Sequence, residues 1–135
     1  MKAYLEETLA KARREGFVET EFKRRRYIPD IVSKDPRARS FAERTATNAP
    51  IQGTASDIIK IAMIEIEKEI GREALRSRMI LQVHDELLFD VPSAELSKMT
   101  ELVREKMQGA VNFKVPMKVD VKVGPNWLDM KEAGV

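Results

Sequence analysis

The strongest periodic pattern in the chain is a stripe of apolar residues between Ile51 and Ile70. The acidic residues of the same segment lie largely away from this stripe. Its members are Ile58, Ile59, Ala62, Met63, Ile66 and Ile70. Because apolar residues three and four positions apart share one face of a helix, the pattern predicts a helix whose apolar face is central to the core.

Further patterns predict shorter helices and antiparallel strands around this helix. The helices are predicted over 1–15, over 36–70 with a break near Pro50, and over 93–110. The break is expected because the residue before a proline disfavours helical geometry. Hairpins are predicted over 16–31 and 78–91, and a half-buried strand over 115–124. Together these elements predict a single α+β domain in which helices cover one face of a small antiparallel β-sheet.

The composition excludes several classes of protein. With 135 residues, 43% of them hydrophobic and 34% charged, the chain is typical of one globular domain. Its apolar runs are far shorter than the roughly 20 residues of a membrane helix, so no membrane partner is expected. The absence of cysteine excludes disulfides and thiolate metal sites, and a single histidine excludes a multi-histidine site within one chain. We therefore expect a soluble, cytoplasmic domain.

The net charge of +2 conceals an uneven distribution. From Lys11 to Arg44 there are eleven Lys and Arg residues against six Asp and Glu, and the rest of the chain carries a small acidic excess. The basic residues are densest in the segment Lys23–Arg26. Such a cluster is expected of a polyanion-binding surface, but from charge alone a solvated hairpin with ordinary surface charges is the favoured interpretation.

Three polar residues, His84, Asp85 and Glu86, interrupt the apolar segment MILQVHDELLFDV at 79–91. If 79–84 and 86–91 pair as a hairpin, the two carboxylates lie at the bend and are exposed rather than buried. Adjacent carboxylates at a tight bend repel each other, and Mg²⁺ would relieve that repulsion because it binds oxygen ligands. The residues alone leave both interpretations open, an exposed turn and part of a metal site.

A second polar pattern consists of Arg44, Asn48 and Gln52, which are spaced four residues apart. They share one helical face if the helix continues through Pro50. All three side chains donate hydrogen bonds, and the minor groove presents purine N3 and pyrimidine O2 acceptors at every base pair. The pattern therefore fits sequence-independent DNA contact, while a solvated polar face is the alternative.

The motifs QVHDEL at 82–87, NAPIQGTASDIIKIAM at 48–63 and GFVETEFKRRRYIPDI at 16–31 resemble the C-terminal end of family A DNA polymerases, the bacterial DNA polymerase I type. The resemblance extends in order over essentially the whole chain, to GPNWLDMKE at 124–132. It implies a partial polymerase palm and a bacterial, nucleoid-associated protein.

The resemblance also implies roles for individual residues. Asp85 matches a ligand of the catalytic Mg²⁺ ions, Glu86 a residue that organises the site, and His84 a residue near the primer terminus. Arg44, Asn48 and Gln52 match contacts to the minor groove of the primer–template DNA. The resemblance further implies that three arginines of the hairpin lie near the duplex backbone, namely Arg24, Arg25 and Arg26. The implied reaction is attack of a primer 3′-hydroxyl on the α-phosphate of an incoming deoxynucleoside triphosphate in a two-ion site.

The chain also departs from the family pattern. It lacks the first motif, an Asp-Tyr-Ser segment with the other metal-binding aspartate, and it lacks the nucleotide-binding fingers helix. Both are expected to precede Met1, so we predict that the chain needs this missing N-terminal segment and cannot polymerise alone. Without the strand of the first motif, an exposed sheet edge is expected to favour a homo-oligomer. Lys23 stands where relatives often have glycine.

Two alternatives to a polymerase fragment remain from the sequence. One is a non-catalytic module that binds duplex DNA independently of sequence, whose affinity falls steeply with salt and is insensitive to Asp85→Asn. The other is a structural unit with no activity.

Overall fold

The computed structural model of the protein describes residues 2–133 and contains helices and short antiparallel strands. The helices are α1 (Lys2–Glu15), α2 (Pro36–Arg72) and α3 (Leu96–Gln108). The strands are β1 (Phe17–Glu19), β2 (Arg25–Tyr27), β3 (Arg78–Val83), β4 (Glu86–Asp90), β5 (Lys122–Val123) and β6 (Lys131–Glu132). The predicted α+β class is confirmed, and the described strands pair as three two-stranded antiparallel sheets, where one small sheet was expected.

The described residues divide into two compact units, 2–57 and 58–133, where the sequence predicted a single domain. The boundary falls inside α2. The apolar pattern of that helix continues across the boundary without the proline, glycine or serine run that marks a linker, so the division has no local signal in the sequence. Each unit has its own cluster of buried apolar side chains.

The first unit is built on α1, the β1–β2 hairpin and the N-terminal half of α2. Helix α1 ends at Glu15 because Gly16 adopts a left-handed conformation with φ of +76°, which glycine reaches without a steric penalty. The carbonyl of Gly16 then accepts a hydrogen bond of 2.8 Å from the amide of Ile28, just after β2. The buried cluster consists of Ala12, Val18, Ile28, Ile31, Ala42, Ala46 and Ala49, with Leu9 packed against it.

Helix α2 continues through Pro50, so the predicted break at this position is wrong. Proline in a helix interior removes one hydrogen bond and costs about 3 kcal/mol. Here Pro50 itself is buried, and the neighbouring Ala42, Ala46 and Ala49 belong to the core of the first unit. Burial of this small-residue face offsets the cost, and the helix is not interrupted.

The second unit packs the C-terminal half of α2 and helix α3 with the β3–β4 hairpin. Its buried residues are Ile66, Ile70, Met99, Leu102 and Val103, with Leu75, Met79, Leu87, Phe89, Val91 and Met107 against them. The hairpin has an irregularity between Met79 and Leu81, where Ile80 has no partner on β4.

The strand predicted over 115–124 is shorter than expected, because only Lys122 and Val123 pair with β6. The alternation is nevertheless present in the exposure of the side chains. Met117, Val119, Val121 and Val123 are partly buried, whereas Lys118, Asp120 and Lys122 are exposed. Over 115–120 the described residues provide no hydrogen-bonded partner strand, and Val121 accepts only one bond of 2.8 Å from the amide of Ala133, so the half-buried pattern does not become a regular β-ladder.

Among residues 2–133, no helix has an apolar stretch long enough to cross a membrane.

The start of β3 is attached to the start of α3 through Glu95. Its carboxylate accepts hydrogen bonds from the backbone amides of Arg76, at 3.0 Å, and Ser77, at 2.9 Å, and from the Ser77 hydroxyl at 2.6 Å. Ser77 is buried, so its donors have little access to water, whereas Arg76 is exposed. The hydroxyl of Ser77, followed by the amides, holds the pKa of Glu95 below its ordinary value of 4.5.

The lowered pKa of Glu95 predicts a specific pH dependence. Because the folded-state pKa lies below the unfolded one, the carboxylate stabilises the fold above pH 4.5, and this contribution is lost as the pH falls through the folded-state pKa. Glu95→Gln should therefore lower the free energy of unfolding at pH 7, and the difference from the unchanged chain should shrink toward pH 3. Urea denaturation followed by circular dichroism at several pH values measures this difference.

Glu101→Gln is the matched control, because it removes a carboxylate from an exposed position of α3, the helix that Glu95 immediately precedes. If Glu95→Gln and Glu101→Gln give the same pH profile, the hydrogen bonds at Ser77 do not stabilise the fold.

Candidate nucleic-acid interface and metal site

The polar residues in the apolar segment 79–91 lie at a two-residue turn. Val83 pairs with Glu86, so His84 and Asp85 alone connect β3 to β4. The sequence placed Asp85 and Glu86 at the bend, whereas the structure places Glu86 at the first position of β4. His84 has a φ of +53°, which is a left-handed backbone conformation that is unfavourable for residues other than glycine. The side-chain amide of Gln82 donates a hydrogen bond of 2.8 Å to the carbonyl of His84 and stabilises this turn.

His84, Asp85 and Glu86 are all exposed, so the charges within this apolar segment carry no burial cost. Two adjacent carboxylates supply the hard oxygen atoms that Mg²⁺ prefers, and Mg²⁺ is often held by one or two carboxylates together with substrate phosphates. Among residues 2–133, no group of three or more His, Asp or Glu side chains is arranged to hold a metal ion. The turn therefore fits part of a magnesium site and not a complete one.

The second predicted set, Arg44, Asn48 and Gln52, lies on α2 in the first unit. Because α2 is continuous through Pro50, the three residues follow one another at four-residue steps along one face of the helix. All three are exposed. The condition that the sequence left open, continuity of the helix past Pro50, is met.

The three arginines of the β1–β2 hairpin differ in their surroundings. Arg24 donates from Nε to Asp57 at 2.8 Å and from a terminal nitrogen to the carbonyl of Gly53 at 3.1 Å. Arg25 donates to Glu19 at 3.2 Å and lies 4.4 Å above the ring of Phe17.

Arg26 is exposed and, within the described residues, has no hydrogen bond or salt bridge from its side chain. Of the three cations predicted to lie near DNA, two are thus bonded to other residues of the protein, although their side chains remain about half exposed.

Glu19 organises the charges on the other side of the hairpin. It accepts a hydrogen bond of 2.8 Å from Lys11 of α1 as well as the one from Arg25. Lys11 above all, and then Arg25, holds the pKa of Glu19 below its usual range, and the hydrogen bond to Glu19 raises the pKa of Arg25. The carboxylate is therefore ionised at neutral pH and fixes Arg25 against β1.

A small cavity of about 60 Å³ lies between the hairpin and α2 within the first unit. The hairpin contributes Thr20, Arg24 and Arg26 to its lining, and α2 contributes Gln52 and Gly53. The arginine-rich turn and one end of the Arg44–Gln52 row are therefore neighbours. His84, Asp85 and Glu86 belong to the second unit.

Comparison with known proteins places these features in a family. The sequence model of the protein family "DNA polymerase family A" matches residues 1–129 of this chain. The chain belongs to DNA polymerase family A. It is 48% identical over 131 residues to DNA polymerase I of Geobacillus stearothermophilus and, equally, to that of Bacillus subtilis strain 168. In both comparisons the match covers 97% of this chain but only 15% of the relative, so the chain spans about a seventh of the length of these polymerases.

A solved structure is also similar to this chain. It is the POL domain of Pol1 from M. smegmatis in complex with a DNA primer-template and dNTP. The TM-score is 0.84 at 47% sequence identity, and the match covers 87% of this chain and 21% of that one. The family predicted from the motifs is confirmed, while the roles of individual site residues stay predictions.

Sequence reasoning missed several residues that support the site. Asp57 and Thr54 contact the hairpin from α2 across 33 positions of sequence, and Gln82 stabilises the His84 turn. Nothing in the sequence singled out Asp57, because it lies among other polar residues, namely Thr54, Ser56 and Lys60. Its partner was not identifiable, because pairing at that distance depends on the tertiary fold.

Close packing between the hairpin and α2 depends on Gly53. A Cβ atom at this position would lie 2.6 Å from the Cγ2 methyl of Thr20, which is buried on a β-branched side chain and has little room to move. Gly71 lies in the same helix, and a Cβ atom there would meet nothing within 4 Å.

Gly53→Ala should therefore destabilise the first unit by about 1–3 kcal/mol, as overpacking of a well-packed site does. Gly71→Ala should instead be neutral or stabilise the chain by up to about 1 kcal/mol, because alanine is the better helix former. Urea denaturation of the two variants measures both effects. Equal responses to the two substitutions would show that the contact between Gly53 and Thr20 does not limit the packing.

Proposed function

We propose that this chain is the C-terminal part of the palm of a DNA-directed DNA polymerase. It contributes one metal-binding carboxylate, from Asp85, and minor-groove contacts from Arg44, Asn48 and Gln52 to template-directed deoxynucleotidyl transfer. Its partners are primer–template DNA, an incoming deoxynucleoside triphosphate and a polymerase segment carrying the first motif and the fingers helix.

The observation that carries the proposal is the exposed position of Asp85 at a two-residue turn. A metal ligand has to be both accessible and held in a fixed position. The hairpin supplies the fixed position, because β3 and β4 pair on both sides of the turn and Gln82 bonds the carbonyl of His84. Glu86, the next residue, helps to organise the same site, and His84 lies toward the primer terminus.

The row on α2 supports the DNA-binding part of the proposal. Guanidinium and amide groups donate hydrogen bonds, and every base pair presents acceptors in the minor groove. Donors at four-residue steps on an exposed helix face suit a protein that has to accept any correct base pair. Arg26 adds a cation beside Gln52, at the cavity that both residues line.

Asp85, with Glu86 beside it, would hold Mg²⁺ together with ligands from outside residues 2–133. When bound, the two-ion site activates the primer 3′-hydroxyl and neutralises the leaving phosphates. The protein's own contribution is positioning: the turn of the second unit holds Asp85 in place, and the α2 row of the first unit supplies hydrogen-bond donors to the duplex.

The catalytic part of the proposal is tested in a chimera in which this chain replaces the matching segment of Geobacillus stearothermophilus DNA polymerase I. Loss of even an outer partner of a metal site lowers activity by roughly 10–100-fold. Asp85→Asn should therefore lower primer extension by more than about 100-fold in single-turnover assays with Mg²⁺. Its affinity for primer–template DNA should be nearly unchanged.

Asp90→Asn is the control, because Asp90 is an exposed carboxylate at the other end of the same hairpin. Full activity of the Asp85→Asn chimera would contradict the metal-ligand role and favour a module that only binds duplex DNA. The 135-residue chain alone, in the same assay, is expected not to extend a primer, because its sequence lacks the first motif.

We also propose that the chain by itself forms homo-oligomers through a sheet edge. Among the described residues, β3 pairs only with β4, and an unpaired strand edge is a template for another chain. Sedimentation velocity at high micromolar concentration should show a dimer. Ile80→Lys, on exposed β3, should shift the chain toward monomer, whereas Ile64→Lys, exposed on α2, should not. A strict monomer at that concentration would contradict this proposal.

A further inference from the structure

The side chain of Arg24 is 52% exposed, but its guanidinium is held by two acceptors on α2. Its guanidinium donates to the Oδ1 atom of Asp57 at 2.8 Å and to the carbonyl of Gly53 at 3.1 Å. These two acceptors lie one turn apart on α2. Because the guanidinium is a rigid planar fork, two acceptors together fix its orientation.

Asp57 depends on this contact. Its side chain is only 12% exposed, and its second oxygen, Oδ2, is buried with no hydrogen-bond partner in the described residues. A largely buried carboxylate that loses its cation pays the full cost of desolvation. Within the described residues, Arg24 is therefore the group that holds the Asp57 carboxylate.

Two further contacts connect the hairpin turn to the same part of α2. The amide of Glu21 donates a hydrogen bond of 2.9 Å to the hydroxyl of Thr54, and the backbone at Gly53 packs against Thr20. Residues 53, 54 and 57 of α2 are thus all held by residues 20–24. Gln52 immediately precedes them and lines the adjoining cavity with Arg24 and Arg26.

We infer that Arg24 and Asp57 form a positioning pair that fixes the turn of α2 carrying Gln52, and that Arg24 is not itself a contact to DNA phosphate. The inference rests on the proposed function, in which Gln52 contacts the primer–template duplex. It also divides the arginine cluster: Arg24 positions, Arg25 is held by Glu19 and Phe17, and Arg26 supplies the cation available to DNA.

The effect of removing the Asp57 charge on DNA affinity has opposite signs for a purely electrostatic role and for a positioning role. Removing a negative charge beside a DNA-binding surface should strengthen binding if only charge matters. If Asp57 acts by positioning Gln52, its removal should weaken binding instead. Likewise, a direct phosphate contact changes the slope of log K against log salt by about 0.9, whereas a positioning residue leaves that slope unchanged.

The test is binding of the 135-residue chain to a fluorescein-labelled primer–template duplex, measured by anisotropy at several salt concentrations. Asp57→Asn and Arg24→Lys should each weaken binding by roughly tenfold, within the range of coupling between neighbouring residues, with no change in salt slope. Arg24→Lys keeps the charge but loses the fork. Arg26→Ala should lower the salt slope by about one.

A double-mutant cycle shows whether the effect passes through Gln52. In a Gln52→Ala background, Asp57→Asn should cost little more affinity, because the residue that it positions is gone. Ser56→Ala, at an exposed position one turn beyond Gln52, is the matched control. Circular dichroism at the temperature of the binding assay verifies that each variant is folded.

Three outcomes would overturn the inference. The first is an Asp57→Asn variant that binds the duplex as tightly as the unchanged chain or more tightly. The second is a salt slope that falls by about one in Arg24→Ala but stays unchanged in Arg24→Lys, as expected of a direct phosphate contact. The third is a penalty of Asp57→Asn that remains fully additive to that of Gln52→Ala. A Gln52→Ala chain with unchanged affinity would instead contradict the proposed minor-groove contact itself, and with it the inference.

Discussion

Continuity of α2 through Pro50 is the constraint on which the first unit depends. The helix tolerates the lost hydrogen bond because the alanines around the proline are buried against α1 and the hairpin region. Small residues are required on that face, since larger ones would separate the elements they join. The continuous helix then sets Arg44, Asn48 and Gln52 in register, so a packing property of buried alanines determines the spacing of exposed hydrogen-bond donors.

The two candidate sites obtain their rigidity in different ways. The Asp85 turn is held locally, by strand pairing and by one hydrogen bond from Gln82, and every partner lies within a few residues. The turn of helix α2 that carries Gln52 is held by contacts from the β1–β2 hairpin, about 30 positions away in sequence. The Asp85 turn therefore tolerates changes elsewhere in the chain. The Gln52 site instead requires the β1–β2 hairpin and helix α2 to be folded together.

These differences explain what the sequence predicted and what it did not. The α+β class followed from periodicity, since a stripe at helical spacing and alternation at strand spacing are properties of neighbouring residues. The motifs indicated the family because they specify side-chain chemistry along the chain. The break at Pro50 was predicted from a local rule that tertiary packing overrode. Asp57, Thr54 and Gly53 gave no sign of their partners, because loop closure brings the hairpin to them.

The irregularity at Ile80 separates the β3–β4 hairpin into two registers. Near the turn, Gln82 pairs with Leu87 and Val83 with Glu86, and the two-residue connection sets this alignment. At the open end, Met79 pairs with Phe89, and burial of both against the core sets that alignment independently. The unpaired residue absorbs a mismatch of one position between them. Evolution can therefore alter the length of the strand near Ile80 without moving the carboxylates at the turn.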